Sequence, residues 1–114
     1  MDEQLTLEEY HDIQQLLAGA SLALDVDDNQ AYLDCFTEDG VFVTYGRDWP
    51  NGERLRQMLD AAPHGLHLVG VPVVDRAEDG GIRSRQNFLF VDRATGREPE
   101  QPRIATAPRT APGP

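Results

Sequence analysis

The sequence predicts an α+β fold, with N-terminal helices packed on one face of a curved antiparallel sheet. Apolar residues recur at helical spacing through the first quarter of the chain, and β-branched and aromatic residues are concentrated in the second half. A glycine-containing turn separates the two longest β-rich runs. Because the strands follow the helices as a group, we expect the element order α-α-β-α-β-β-β.

The first helix is predicted over residues 7–24, where apolar side chains recur every three or four positions. Thr6 and Glu9 form a T-x-x-E capping box at its start. Gly19 lies inside this helix, where glycine is less favourable than alanine by about 1 kcal/mol.

Two shorter helices are predicted next. The polar link at residues 27–29 offers a cap for a helix over residues 30–37. A third helix over residues 53–62 follows a loop at residues 46–52, and Asn51 is its expected cap.

The remaining elements are strands. Val41–Tyr45 is a short β-branched and aromatic run after an Asp-Gly turn. The runs Leu66–Val74 and Ile82–Val91 flank Glu78–Gly81, which predicts a hairpin, and Arg103–Ala107 predicts a last strand.

Length and composition indicate one acidic domain. The chain has 114 residues, which predicts a single domain over residues 1–107 and a disordered, proline-rich tail over residues 108–114. The net charge of −10 would repel nucleic acids and anionic membranes, so neither is an expected partner. The single cysteine, Cys35, cannot form an internal disulfide, and the start of the chain is acidic and unlike a signal peptide. A cytoplasmic location is expected.

An ordered set of segments resembles the NTF2-like, or SnoaL-like, superfamily, an α+β cone. These segments are Leu24–Asp28, Tyr32–Gly40, Val41–Tyr45, His67–Gly70 and Arg83–Asp92. The resemblance implies helices wrapped on a curved sheet around a pocket for a small hydrophobic or aromatic molecule. It specifies the fold more closely than the activity, because this fold hosts isomerases, dehydratases, cyclases and non-catalytic subunits.

Three site patterns within that superfamily were compared with these residues. The ketosteroid-isomerase pattern is not supported, because Ala20 and Thr44 stand where it has a tyrosine and an acidic base. The scytalone-dehydratase pattern fits better, with Asp25 ending the first helix, Tyr45 on the first strand and His67 on a later strand.

The dehydratase pattern is incomplete. Leu24 replaces its second tyrosine, and its second strand histidine falls near Arg85 or Gln86. The third pattern, the mainly structural β subunit of ring-hydroxylating dioxygenases, resembles the chain around Asp39-Gly40-Val41. The fold's closing strand is also missing from the sequence pattern, so we expect either a shortened form of the fold or a partner that supplies the closing edge. An unpaired edge favours association, and a homodimer formed through the sheet is expected.

The resemblance assigns roles to three residues, each with a structural alternative. His67 would move a proton and Asp25 would orient its ring; the structural alternative is a hydrogen-bonded pocket-wall histidine and a polar residue near a helix end. Tyr45 would polarise a substrate carbonyl, or would only place its hydroxyl at the rim.

The pocket wall depends on the hairpin register. A two-residue Asp79-Gly80 turn pairs His67 with Asp92 and places apolar side chains on its face. A three-residue turn would instead bring a polar face to His67. We favour the apolar wall, whose expected substrate-binding residues are Trp49, Val69, Val71, Phe88 and Phe90.

No cofactor or metal is expected, because the three histidines lack metal-ligand spacing and no glycine-rich phosphate loop follows a strand. His11 and His64 are interpreted as surface residues. The predicted function is binding, with dehydration or isomerisation, of a small cyclic or aromatic compound resembling a polyketide or a steroid. The alternative is a non-catalytic subunit or pseudo-enzyme.

Overall fold

The computed structural model of the protein describes residues 4–93 and the backbone of residues 104–110. Its helices are α1 (Leu7–Asp25), α2 (Asn29–Leu33) and α3 (Glu53–Ala61). Its strands are β1 (Val41–Thr44), β2 (Arg47–Pro50), β3 (Gly65–Val69), β4 (Val73–Arg76), β5 (Ile82–Asp92) and β6 (Ile104–Thr110). The α+β class is confirmed, and the described elements run α-α-β-β-α-β-β-β-β.

The capping box that starts α1 is confirmed. The Glu9 backbone N–H donates to Thr6 Oγ1 at 3.0 Å, and the Thr6 backbone N–H donates to Glu9 Oε1 at 3.0 Å. The helix ends at Asp25, one residue beyond the prediction. Its apolar face packs on α2 and on β3, and this contact brings the end of the helix to the sheet.

The second helix is shorter than predicted. Asp28 caps α2 by accepting a hydrogen bond from the Ala31 backbone N–H at 3.1 Å. After Leu33 the chain continues in tighter turns, since Phe36 N–H donates to Leu33 O. The apolar residues that predicted a helix to residue 37 therefore lie partly in these tighter turns and not in α2.

The predicted cap of α3 is wrong. Gly52 occupies the cap position, and no side chain caps this helix end. Asn51 is engaged elsewhere: its Nδ2 donates to Thr37 O at 3.0 Å and its backbone N–H donates to Gly40 O at 2.8 Å. Asn51 thus ties the start of α3 to the turn before β1.

The loop predicted at residues 46–52 is also wrong, because β2 lies within it and pairs with β1. Tyr45 and Gly46 form the two-residue connection, with φ angles of 55° and 69°. Two left-handed residues in succession are the mark of a type I′ hairpin turn. Pro50 is tolerated because it lies at the end of this edge strand.

The larger sheet is built around the long strand β5. β3 pairs with its C-terminal half and β4 with its N-terminal half, while β6 also pairs with β5, all antiparallel. The strand predicted at residues 103–107 begins at Ile104 and ends at Thr110, so residues 108–110 are strand and not tail. Residues 111–114 lie outside the described residues.

Two one-residue effects set the hairpin register. The turn after β4 has three residues, 78–80, because Ala77 N–H donates to Gly81 O at 2.8 Å. Residues 71 and 72 then stand opposite the single residue Gln86, which is a β-bulge. The three-residue turn alone would place His67 on the opposite face of the sheet from Phe88 and Phe90. The extra residue in the bulge returns it to their face, and His67 lies opposite Phe90. The predicted pairing of His67 with Asp92 was wrong by two residues, whereas the predicted apolar face was right.

The hydrophobic core lies between the helices and the small hairpin. Tyr32, Phe36 and Phe42 meet edge to face, with ring centroids 5.4–6.4 Å apart. Leu55 of α3 is fully buried beside them. Within the described ranges, no helix combines the length and the apolar character needed to cross a membrane.

Candidate functional site

A cavity of about 460 Å³ opens beside this core, between the helices and the large sheet. Its volume is in the range of small-molecule sites. The aromatic lining residues are Tyr32, Phe42, Tyr45, Phe88 and Phe90. The polar lining residues are Asn29, Thr44, His64, His67 and Asp92. The cavity is therefore mainly apolar, with a few polar groups directed at a common space.

His67, which lines this cavity, is hydrogen-bonded to Asp25, which is not among the lining residues. Asp25 Oδ1 accepts from the His67 backbone N–H at 2.8 Å and lies 2.9 Å from His67 Nδ1. Their side chains are 16% and 18% exposed, so water screens the contact only in part. An ionised carboxylate can only accept, so beside it Nδ1 is the donor, and in the neutral imidazole the lone pair is then on Nε2. The pair has the geometry of an oriented imidazole base.

The local structure explains this contact. A carboxylate at the C-terminal end of a helix faces the negative end of the helix dipole, which is unfavourable. The packing of α1 on β3 places the backbone N–H and the ring of His67 beside Asp25, and the two hydrogen bonds offset that penalty. The sequence pattern indicated both residues, and the structure brings them together.

Phe88 and Phe90 form the wall next to the histidine. The His67 ring centroid lies 4.9 Å from that of Phe90 and 6.1 Å from that of Phe88. Both phenylalanines were expected on this face, and both line the cavity. Aromatic walls lower the local dielectric, which strengthens the electrostatic contacts of a polar group held between them.

The sequence had predicted Tyr45 on the first strand, and this prediction is wrong. Tyr45 lies in the β1–β2 turn with 69% of its surface exposed, and it contributes to the mouth of the cavity. The strand ends one residue earlier because Tyr45 takes a left-handed conformation, with φ of 55°.

The expected pocket residues Trp49, Val69 and Val71 are not part of the lining that the structure shows. Trp49 lies on the unforeseen strand β2, where its Nε1–H donates to Thr44 O at 3.1 Å and its ring packs on the helical core. Val71 lies in the bulge and is 77% exposed, and Val69 is half-buried at the end of β3, where it pairs with Phe88.

Among the lining residues that sequence reasoning did not assign to the pocket are Tyr32 and Asp92. Tyr32 was read only as a core residue, yet it is buried and also lines the cavity. Asp92 is a carboxylate with only 8% exposure that also lines the cavity. It keeps the two-residue spacing of Phe88 and Phe90, and extending that spacing by one step would have found it.

His64 is not a simple surface residue. It lines the rim of the cavity, and its Nδ1 lies 2.8 Å from Asp27 Oδ1. Arg93 Nη2 reaches the same carboxylate at 3.2 and 3.3 Å. The hydrogen bond from His64, followed by the charge of Arg93, lowers the pKa of Asp27. His64 thus joins the rim of the cavity to the ion pair between Asp27 and Arg93.

Two other chemistries find little support among the described residues. Burial and the neighbouring Asp34 carboxylate raise the pKa of the Cys35 thiol, which opposes a reactive thiolate. Within residues 4–93, no group of three or more histidine, cysteine or acidic side chains is arranged to hold a metal ion.

Residues 5–109 match the SnoaL-like domain family. The chain belongs to this family. SnoaL-like domains bind small molecules, so the protein is a small-molecule-binding domain of the NTF2-like superfamily. A comparison with curated proteins found no match.

A search of solved structures found ActVI-ORFA from Streptomyces coelicolor, with a TM-score of 0.74. The match covers 90% of this chain and 82% of that chain at 17% sequence identity. At this identity the likeness establishes the shared fold and nothing about the reaction. The NTF2-like fold predicted for the SnoaL-like chain is confirmed.

Proposed function

We propose that this SnoaL-like protein binds a small cyclic or aromatic compound and moves a proton on it without a cofactor, as a dehydratase or isomerase. The observation that carries the proposal is the Asp25–His67 hydrogen bond of 2.9 Å at the wall of an aromatic cavity. A histidine oriented by a carboxylate is a common general base, and general acid–base catalysis contributes about 10²- to 10⁴-fold to a rate.

His67 would take a proton from the carbon next to a substrate carbonyl through Nε2. Asp25 would hold the ring in the correct tautomer and stabilise the imidazolium that forms. In an isomerisation, His67 would return the proton to another carbon of the substrate. In a dehydration, the proton would pass to the leaving hydroxyl group, which departs as water. Neither outcome needs an electron acceptor.

Tyr45 would polarise the substrate carbonyl from the rim. Its left-handed φ of 55° supports this role, because strained non-glycine residues cluster at functional sites. Asparagine or glycine is favoured at this turn position, so a tyrosine costs stability that a purely structural turn would not need. Tyr45→Phe tests the hydroxyl alone, and the proposal expects slower turnover with unchanged folding.

Deuterium exchange tests the proton transfer directly. The protein is incubated in D₂O with small cyclic ketones and β-hydroxyketones, and mass spectrometry follows label incorporation and loss of water. We expect His67→Gln to lower the rate at least about 100-fold. His11→Gln is the matched control, since His11 is exposed on α1. Equal rates in wild type and His67→Gln would overturn the proposal.

A non-catalytic role is the second candidate. The second histidine of the dehydratase pattern falls near Arg85 or Gln86, neither of which is a histidine, and this difference favours a subunit or pseudo-enzyme resembling the β subunit of ring-hydroxylating dioxygenases. Ketones that raise the unfolding temperature but exchange no label would support this reading.

A homodimer through the sheet is also proposed, in the cytoplasm that the single cysteine favours. Leu66, Leu68 and Val73 lie on the sheet face opposite the cavity and are 50%, 57% and 59% exposed. Exposed apolar groups on one face favour association. Light scattering should show a dimer that Leu68→Glu disrupts and that Leu22→Glu, on exposed α1 surface, leaves intact. A monomeric wild type would overturn the dimer.

A further inference from the structure

We propose that His64 anchors the ligand: its imidazole accepts a hydrogen bond from a hydroxyl group and makes the cavity prefer ring compounds that carry such a donor. The proposal rests on the ligand cavity of the proposed function but does not require turnover. It gives His64 a binding role that is separate from the proton transfer assigned to His67.

The ring of His64 is held in place at the cavity. His64 is a lining residue just before β3, and its backbone O accepts from the Arg93 N–H at 2.8 Å, which ties this point of the chain to the residue after β5. Its Nδ1 lies 2.8 Å from Asp27 Oδ1. An ionised carboxylate only accepts, so Nδ1 is the donor and Nε2 is the acceptor of the neutral ring. No described residue makes a hydrogen bond with this Nε2, so it is the ring nitrogen left for a ligand.

Asp27 and Arg93 strengthen Nε2 as an acceptor. Arg93 Nη2 lies 3.2 and 3.3 Å from the two Asp27 carboxylate oxygens, so two groups hold this carboxylate. Hydrogen bonds in a chain polarise one another, and a negative charge beside Nδ1–H increases the electron density on Nε2. A ligand hydroxyl at Nε2 would extend the chain from Arg93 through Asp27 and His64 by one further hydrogen bond.

The backbone at Asp27 also supports a role for this contact. Asp27 follows Val26, the cap residue of α1, and has a left-handed φ of 60°. Glycine is the usual residue at this place, with asparagine next. Aspartate instead brings a negative charge to the negative end of the helix dipole, which is unfavourable for the helix alone. Departures from local preference are expected at functional sites, and here the departure supplies the carboxylate that holds the His64 ring.

The rest of the lining sets the kind of ligand and its orientation. The side chain of His64 is 38% exposed, against 18% for His67, so His64 lies nearer the mouth of the cavity. Phe42, Leu59 and Phe88 are among the apolar residues that line the remainder. An apolar ring fills such a space, and a few polar groups then fix its orientation. The ligand therefore places its ring between the apolar walls and its hydroxyl at the rim.

Three ligands with one ring system test the inference: 2-naphthol, 2-methoxynaphthalene and 2-fluoronaphthalene. Only the naphthol can donate a hydrogen bond, whereas the methoxy oxygen can only accept one. Binding to the full chain is measured by titration calorimetry at about pH 8, where histidine side chains are ordinarily neutral. We expect 2-naphthol to bind about two- to tenfold more tightly than either of the other ligands, the range for one net hydrogen bond.

His64→Phe keeps an aromatic ring at the rim and removes the acceptor. The preference for 2-naphthol should then disappear, while the affinities for the other two ligands change little. His11→Phe is the matched control, because His11 is exposed on α1, and it should leave the preference unchanged. Asp27→Asn keeps an acceptor for Nδ1 and suits the left-handed backbone but removes the charge, so the preference should shrink without disappearing.

NMR of the histidine ring nitrogens reads the contact in the wild-type protein, without any substitution. A hydrogen bond accepted by Nε2 moves the ¹⁵N resonance of that nitrogen. We therefore expect 2-naphthol to shift the Nε2 signal of His64 much more than 2-methoxynaphthalene does. This measurement decides the question even if His64→Phe does not fold.

Several results would overturn the inference: no binding of any of the three ligands, equal binding of all three, or a 2-naphthol preference that survives His64→Phe. A 2-naphthol shift at Nε2 of His67 and not of His64 would overturn it too, because the hydroxyl would then lie at another polar group of the lining. Deuterium exchange without a hydroxyl preference would keep the proposed catalysis and remove this inference alone. A hydroxyl preference without exchange would do the reverse.

Discussion

Gly65→Ala should be strongly destabilising, although alanine is a small and usually harmless replacement. Gly65 begins β3 and pairs with Asp92 of β5. A Cβ atom at this position would lie 2.0 Å from Val91 O and 3.0 Å from Phe90 Cε1. The nearest atom belongs to the backbone, so no side-chain rotation can relieve the clash.

The size of the effect follows from this geometry. Non-bonded carbon–oxygen contacts between strands are about 3.3 Å or longer, so β3 must move away from β5 by about 1.3 Å. Neighbouring strands are only about 4.8 Å apart, and such a shift breaks the hydrogen bonds at this end of the ladder. Losing two or three net contributions of about 1 kcal/mol each predicts a loss of about 2–3 kcal/mol in the free energy of unfolding.

Urea unfolding followed by circular dichroism measures this change, with the slope of the transition as a check on two-state behaviour. Gly19→Ala is the matched control. No atom lies within 4 Å of a Cβ at Gly19, which is exposed within α1, so this replacement should raise stability by about 0.5–1 kcal/mol. A Gly65→Ala loss below about 0.5 kcal/mol would refute the close approach of β3 and β5.

Two further predictions concern ion pairs and hydrogen bonds. Asp25→Ala removes the acceptor beside Nδ1 and beside the His67 backbone N–H, so the free energy of unfolding should fall by about 1–3 kcal/mol. It should also release His67 from the Nδ1–H tautomer, which ¹⁵N NMR of the ring reports, and an unchanged tautomer would contradict the assigned contact. Hydrogen bonds from Arg76 and Thr6 lower the pKa of Glu9 from 4.5 to about 2. The charge of Glu9 therefore stabilises the folded state fully above pH 4.5, and this contribution is lost as the pH falls through about 2. The difference in unfolding temperature between wild type and Glu9→Gln should therefore shrink over that range, and a constant difference would count against the Arg76 contact.

Features set by local sequence were predictable. The capping box of Thr6 and Glu9 needs only residues three apart, and the α1 boundary follows from it. The meeting of Asp25 and His67 was also within reach, because a helix followed by a sheet in this fold class brings the helix end over a strand. Side-chain chemistry then singled out the two groups that can share a proton.

The errors arose where the backbone acts against local preference. The β1–β2 turn was missed because tyrosine takes the position where asparagine or glycine normally signals a type I′ turn. The register was missed because the three-residue turn and the bulge at residues 71 and 72 each shift it by one residue. Two shifts of one residue leave each side chain on the same face of the sheet. Phe88 was therefore predicted on the correct face but opposite an incorrect residue of the neighbouring strand.

Asp25 shows how stability and function separate at this site. As a charged residue at the C-terminal end of α1 it opposes the helix dipole, at a cost of about 0.3–1 kcal/mol. Asparagine would avoid that cost and could still accept the backbone hydrogen bond from His67, so the fold alone gives little reason for the charge. What asparagine cannot do is stabilise an imidazolium, because it carries no negative charge. If proton transfer through His67 is the function, Asp25→Asn should lower the exchange rate far more than its small effect on stability would suggest. A variant that exchanges deuterium as fast as wild type would show that Asp25 is only a helix end.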